Sequence, residues 1–204
     1  SALPPTPHST LPDFPCYRSL NTLYADAAAL AAAHPALVTW TDIGDSWEKA
    51  QSGGAAGYDL FALKLTNSAL TGQKPALILV SGTHARDLAP VELNLRFAEY
   101  LLAGYGTDPE LTWLLNQAEV HIILSANPDG RAVVEQQIAS GEADEFGDAA
   151  RKKNLNDAAC STHALAGVDL DRNFPFQWQP GPTGCMNDYP GVAAASEPET
   201  SALI

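Results

Sequence analysis

The chain has 204 residues, of which 46% are hydrophobic, so it can bury a domain core and is neither a disordered protein nor a small disulfide scaffold. Its 24 acidic and 11 basic residues give a formal charge of -13, which repels nucleic acid and anionic membrane surfaces. No apolar run approaches the roughly 20 residues that cross a bilayer, and three cysteines permit at most one intramolecular bridge. We therefore expect neither nucleic-acid nor membrane partners.

The chain begins with a predicted extended arm over residues 1–16, because this stretch is rich in proline and has no periodic apolar pattern. Residues 17–34 then place apolar side chains at helical spacing and end before Pro35, which predicts an amphipathic helix. We expect residues 17–204 to belong to one domain.

Strands and helices alternate after this first helix. Apolar and β-branched residues between turns predict strands over 37–44, 58–66 and 75–82. Helical spacing predicts helices over 91–106, opened by Pro90, and over 108–117. Residues 119–130 read as a strand that runs into a turn, and 132–169 as a long functional loop with at most a short helix. This order predicts an α/β fold in which helices cover both faces of a sheet.

The carboxyl ends of the strands are where such sheets place reacting loops, and polar residues follow two of the predicted strands there. His84 and Asp87 lie three residues apart after the strand 75–82, a spacing that lets both side chains reach one divalent cation. An alternative of about equal weight is that Asp87 caps the next helix and His84 is a solvated loop residue.

A second polar cluster contains Asp169, Asp171, Arg172 and Asn173. The guanidinium of Arg172 could clamp a carboxylate at two points. Further basic residues occur at Arg86 and at 151–153. Taken by itself, the run 151–153 is best interpreted as the exposed face of a loop. A metal site beside arginines that hold an anionic group suggests hydrolysis at the carboxyl end of a peptide.

Six motifs follow one another along the chain, in the order GTHARD, ANPDGR, ARKKN, GVDLDRNFPFQW, CMNDYPG and SEPET. This order resembles the zinc metallocarboxypeptidases of the carboxypeptidase A and B type, and the resemblance extends from Tyr17 onward. The resemblance implies a mixed, mostly parallel sheet, one Zn²⁺ ion and a peptide or protein substrate. It implies that His84 is a zinc ligand and that Asp87, which replaces the usual glutamate, is a second one. An aspartate reaches about 1.5 Å less far than a glutamate, so the loop must shift or zinc affinity must drop.

The substrate-binding residues that the resemblance implies are Arg86, in a subsite, and Arg172, on the terminal carboxylate. Asp171 replaces an asparagine that assists Arg172. Because an ionised Asp171 would repel a carboxylate, we expect it to pair with Arg172 or another cation, or the substrate to end differently.

The family also has an arginine that polarises the scissile carbonyl. Here the residue type favours Arg151, whereas the spacing to Asn154 favours Lys152. By resemblance Cys160 and Cys185 form the disulfide, which leaves Cys16 as the odd thiol and implies a secreted or periplasmic location.

The third zinc ligand, a histidine, and the general base, a glutamate, follow the SEPET helix in this family, whereas the sequence ends at Ile204. His163 is the best substitute ligand within it. We therefore expect the amino-terminal part of a zinc carboxypeptidase, a fold that is incomplete at its C-terminus. Its remainder is then either a separate chain after processing or absent from this sequence. The alternative is a non-catalytic peptide-binding relative with a degenerate metal site, which the substitutions Asp87 and Asp171 favour.

Overall fold

The computed structural model describes residues 10–141, 151–160, 166–181 and 183–204. Its strands are β1 Thr10–Leu11, β2 Phe14–Arg18, β3 Val38–Asp45, β4 Asp59–Leu65, β5 Ala76–Val80 and β6 Glu119–Ile123. Its helices are α1 Leu20–Ala33, α2 Trp47–Ser52, α3 Leu88–Gly104, α4 Pro109–Gln117, α5 Pro128–Ser140 and α6 Pro198–Ser201, with a 3-10 turn over Leu170–Arg172. Within these ranges no helix combines the length and the apolar character that a bilayer crossing requires.

The main sheet has the strand order β3-β4-β6-β5 and confirms the predicted mixed α/β fold. The expectation of a mostly parallel sheet is wrong for the described strands, because β3–β4 and β4–β6 are antiparallel and only β5–β6 is parallel. The reason lies in the connections. The chain between β5 and β6 carries α3 and α4 and is long enough for the crossover that a parallel pair requires.

One face of this sheet is covered by α1, α3 and α4. Leu23 of α1, Leu95 of α3 and Leu115 of α4 share one apolar cluster with Leu63 and Ile122 of the sheet, and all five are fully buried. Each such leucine stabilises the fold by about 1.5–3 kcal/mol relative to an exposed position.

The opposite face is open at β5 in the part of the chain that the structure describes. Ile78 is 64% exposed and Val80 45%, and Leu77, on the covered side of this edge strand, is still 47% exposed. The predicted helical cover is therefore present on the face that carries the apolar cluster, and the opposite face is uncovered at β5 among the described residues.

The predicted arm is ordered where the structure describes it, from residue 10 onward. β1 and β2 form an antiparallel pair, and the buried side chain of Arg18 donates to Glu99 at 2.8 Å. The first helix begins at Leu20 rather than at residue 17, because Ser19 accepts a hydrogen bond from the backbone of Thr22 and caps the helix there.

Helix α5 corrects the prediction of a turn followed by a long loop. Pro128 and Asp129, which we assigned to the turn, lie in the first turn of this helix. The side chain of Asn127 accepts a hydrogen bond from the backbone of Gly130, so the same residues that signal a turn cap a helix here. The helix then continues to Ser140.

Candidate metal centre

Three loops meet at the carboxyl edge of the sheet. The side-chain amide of Asn127, after β6, donates to the backbone carbonyls of Thr83 and Lys152, both at 3.3 Å. The backbone of Ala85 also donates to the carbonyl of Lys152 at 3.1 Å. The loops after β5 and β6 therefore lie together, and the segment around Lys152 joins them.

Gly130 allows the start of α5 to approach the loop that carries His84. A Cβ atom at this position would lie 2.8 Å from the Cβ of Ala85 and 2.6 Å from Oδ1 of Asn127. Any larger residue would push these two loops apart, and glycine removes that conflict.

His84 and Asp87 face each other as a metal-binding pair would. Nδ1 of His84 lies 3.2 Å from Oδ2 of Asp87. Two ligand atoms on one tetrahedral zinc ion, each about 2.0–2.1 Å from it, lie about 3.3 Å apart. Asp87 occupies the N-cap position of α3, but its side chain makes no capping hydrogen bond. The capping alternative is thus not adopted. The separation of the two ligand atoms is that of two ligands on one zinc ion and also that of a direct ion pair.

The other ring nitrogen of His84 faces two carboxylates. Nε2 lies 2.8 Å from Oδ2 of Asp171 and 3.5 Å from Oδ1 of Asp169. One ligand atom from each of these three residues lies within 4.8 Å of the others, so this side could also hold a cation. The buried Asp169 was not among the predicted site residues, although it precedes Asp171 by two positions in the same motif.

The basic run 151–153 is not the exposed face that its composition suggests. Nζ of Lys152 lies 2.5 Å from Oδ2 of Asp169 and so borders the His84 site. Arg151 instead donates to the backbone carbonyls of Asn154 and Ala166, and burial lowers the pKa of its guanidinium. Lys153 is buried against two further backbone carbonyls, and burial also lowers its pKa.

The side chain of Arg172 remains available to a ligand. It is 61% exposed, and its Nε lies 3.6 Å from Oδ2 of Asp169. A groove of about 420 Å³ begins beside it and is lined in part by Phe176 and Trp178. Arg86, the other predicted substrate residue, is half-buried and makes no ion pair within the described ranges.

A set of buried polar groups fixes the loop behind Lys152. The side-chain amide of Asn154 donates to Glu197 at 2.8 Å and to Glu199 at 3.2 Å, and both glutamates belong to the SEPET motif. Burial raises the pKa of Glu199 to about 7, even though the backbone of Trp47 donates to its carboxylate. None of these three side chains was predicted to shape the site, although Asn154 set the register of the basic run.

The structure contains the disulfide between Cys160 and Cys185 that the resemblance implies, and Cys16 is free and exposed. His163, the substitute third ligand, lies outside the described residues. His121 pairs with Glu119 on β6 at 3.0 Å and is therefore not directed to the metal centre.

Known proteins match nearly all of the chain. A zinc carboxypeptidase family profile covers residues 23–204. Carboxypeptidase A2 of Mus musculus is 29% identical over 195 residues, which are 94% of this chain and 41% of that protein. The crystal structure of thrombin activatable fibrinolysis inhibitor superposes with a TM-score of 0.75 at 27% identity over 92% of this chain and 42% of that one.

One relative carries the word inactive in its name. Inactive metallocarboxypeptidase ECM14 of Ajellomyces capsulatus is 30% identical over 183 residues, which are 87% of this chain and 27% of that protein. The chain thus spans less than half the length of these relatives.

Proposed function

The chain belongs to the zinc carboxypeptidase family, and from this premise we propose that its parent protein is a zinc-dependent carboxypeptidase that removes residues from the carboxyl end of peptides. The observation that carries the proposal is the 3.2 Å approach of His84 Nδ1 to Asp87 Oδ2 close to the exposed guanidinium of Arg172. A bound zinc ion would polarise the scissile carbonyl and activate water.

The residues of this chain have distinct roles in the proposal. His84 and Asp87 hold the metal, and Arg172 binds the terminal carboxylate of the substrate through two parallel hydrogen bonds. Arg86 lines a neighbouring substrate subsite. Two protein ligands hold zinc poorly, so a third ligand and the general base come from sequence outside this chain, on the same or a separate polypeptide.

Lys152 is our candidate for the cation that stabilises the oxyanion. Its ammonium group borders the His84 site through Asp169, whereas Arg151 is engaged by backbone carbonyls. A lysine can supply the positive charge that such a step needs, although not the two-point geometry of an arginine.

We further propose that the protein works in an oxidising compartment, secreted or periplasmic. The disulfide between Cys160 and Cys185 supports this location, because such bridges are rare in reducing compartments.

The second candidate is a non-catalytic relative that binds peptides. It is supported by the acid at Asp171, where the family resemblance implies asparagine, and by a relative that is named as inactive. This candidate predicts peptide binding with no release of amino acids.

The test uses the full-length protein that contains this sequence. We expect about one zinc ion per molecule and release of carboxyl-terminal residues from peptides, but not from the same peptides with amidated ends. Arg172→Ala should lower kcat/KM for free carboxyl ends by roughly 10- to 100-fold, because hydrogen bonds to a charged group are lost. Arg172→Lys keeps the positive charge but not the two parallel hydrogen-bond donors. Its kcat/KM should therefore lie between those of the wild type and Arg172→Ala. Retained peptide binding without metal or hydrolysis would favour the non-catalytic candidate.

A further inference from the structure

We propose that Asn154 is a positioning residue for Lys152: its side chain ties together the two segments that hold the lysine ammonium on the carboxylate of Asp169. The inference rests on the proposed function in that it takes Lys152 as the cation that stabilises the oxyanion. Asn154 itself is fully buried, so it acts through Lys152 and not on a substrate.

A pair of hydrogen bonds between Asn154 and Val168 forms the link. The backbone of Asn154 donates to the carbonyl of Val168 at 3.1 Å, and the backbone of Val168 donates to Oδ1 of Asn154 at 2.8 Å. Lys152 lies two residues before Asn154, and Asp169 directly follows Val168. The two bonds therefore fix the separation of the backbones that carry the ammonium and its carboxylate.

Gly167 allows the two segments to approach this closely. A Cβ atom there would lie 2.2 Å from the backbone oxygen of Asn154 and 2.8 Å from Cβ of Lys153, and its φ of +121° favours glycine. Arg151 braces the same contact, since it donates to the backbone carbonyls of Asn154 at 2.9 Å and Ala166 at 3.2 Å. Arg151 thus supports the link from the side opposite to Val168 in the sequence.

Two glutamates orient the amide of Asn154. Its Nδ2 atom donates to Glu197 at 2.8 Å and to Glu199 at 3.2 Å. An ionised carboxylate only accepts hydrogen bonds, so the NH₂ group faces the glutamates and the amide oxygen is turned to Val168. The partners of Asn154 therefore decide which of its two polar ends meets the segment that carries Asp169.

The ammonium of Lys152 depends on this arrangement. The loops after β5 and β6 hold the backbone of Lys152, because Ala85 and Asn127 both donate to its carbonyl. A lysine carries a point charge on a flexible stem, so the place of that charge follows the carboxylate with which it pairs. Here that carboxylate is Asp169, whose Oδ2 accepts from Nζ at 2.5 Å. A displacement of about 1 Å can lower a rate by about 100-fold.

A rival explanation is that Asn154 only anchors the SEPET segment. Asn156 separates the two roles, because it donates to Oε2 of Glu197 at 2.9 Å, much as Asn154 does. Among the described residues it makes no hydrogen bond with Val168. Asn156→Ala therefore removes an amide from the same glutamate and keeps the link to Val168, which makes it the matched control.

The first test measures the reactivity of the lysine ammonium in the full-length protein, so it does not depend on hydrolysis. The protein is treated with acetic anhydride, and the labelled lysines are mapped by mass spectrometry. In Asn154→Ala the labelling rate of Lys152 should rise by about 10-fold, because the ion pair opens more often. Lys64, paired with Glu119 on the sheet, should keep its rate and report an intact fold.

Asn156→Ala should leave the labelling of Lys152 as in the wild type. An unchanged rate for Lys152 in Asn154→Ala, or an equal rise in Asn156→Ala, would overturn the proposal. Hydrogen exchange of the wild type adds a measurement that needs no variant. The amide of Val168 should exchange at least about 100-fold more slowly than an unstructured amide, because a buried oxygen accepts it. Exchange at the unstructured rate would also overturn the proposal.

Kinetics then test whether Asn154 acts through Lys152. Asn154→Ala should lower kcat by about 10- to 100-fold and leave KM nearly unchanged, because the oxyanion forms only in the transition state. In a Lys152→Met background the same change should lower kcat by less than about 2-fold. Fully additive losses would contradict the positioning role.

The two tests separate this inference from the proposed function. If Asn154→Ala exposes Lys152 to labelling and yet Lys152→Met retains the wild-type kcat, the positioning role stands and the oxyanion role of Lys152 fails. If the full-length wild type releases no residue from peptides, the labelling and exchange results still decide whether Asn154 positions Lys152.

Discussion

On the covered face of the sheet the fully buried positions are apolar, such as Leu63, Leu95 and Ile122, whereas at the carboxyl edge buried positions include Asn127, Asn154 and Glu199. The apolar positions are interchangeable members of one cluster. Each polar position depends on one or two particular partners, as Asn154 depends on Glu197 and Glu199. The core therefore tolerates exchange of similar side chains, while the edge tolerates few changes, because a buried polar group without its partner costs about 1–3 kcal/mol.

The largest expected effect lies in the core. Leu95→Ala should lower the free energy of unfolding by about 3–5 kcal/mol, because it leaves a cavity beneath the sheet. Leu93→Ala changes the same helix at a position that is 67% exposed and should stay within about 0.5 kcal/mol. Urea unfolding of the two variants compares the same Leu→Ala change at a buried and at an exposed position. Equal losses would show that α3 does not pack as described.

Glu199→Gln tests the edge through its pH dependence. The pKa of Glu199 is about 7 in the fold, against 4.5 for an ordinary glutamate, so the folded state binds more protons between these values. The stability that this group contributes is full below pH 4.5 and is lost as the pH rises through 7. As the pH rises from 5 to 8, the free energy of unfolding of the variant should therefore increase relative to that of the wild type by up to about 3 kcal/mol.

Unfolding free energies at the two pH values give this difference directly. Glu110→Gln, at an exposed position on α4, should keep the wild-type pH slope and serves as the control. A constant difference between Glu199→Gln and the wild type at both pH values would show that Glu199 is already ionised at pH 5.

The smallest expected effect concerns Asp87, the proposed metal ligand. Asp87→Glu should keep or slightly raise zinc affinity, because the longer side chain restores the family's ligand and Asp87 is 47% exposed on a loop that can adjust. Asp87→Asn, with the same shape and no charge, should bind zinc more weakly. A large loss on Asp87→Glu would instead show that the His84 loop is shaped for aspartate.

Regular patterns explain which parts of the fold could be predicted. Periodicity placed α1, α3, α4 and the strands of the main sheet, because each has enough residues to show a repeat. Helix α2 is too short for this. The pairing of β1 with β2 depends on a partner strand rather than on local sequence. Helix α5 was missed because asparagine and proline signal both a turn and a helix start.

The candidate site likewise has residues that the sequence could predict and residues that it could not. His84 and Asp87 were predicted from their spacing, and Arg172 from its chemistry and the family resemblance. The part played by Asp169 and Asn154 was not predicted, because it arises only from contacts with segments that are distant in sequence. The direction of Asp171 toward His84 likewise depends on how the 3-10 turn meets the loop after β5.

The exposed strand β5 has a consequence for how this chain behaves in concentrated solution. Among the described strands its outer edge has no partner beside Leu77, Ile78 and Val80, and such an edge can recruit a strand from another molecule. The charge of -13 holds copies apart at low ionic strength. Added salt shortens the range of that repulsion to about 10 Å at 0.1 M, so dilute buffer protects colloidal stability and salt favours association through β5.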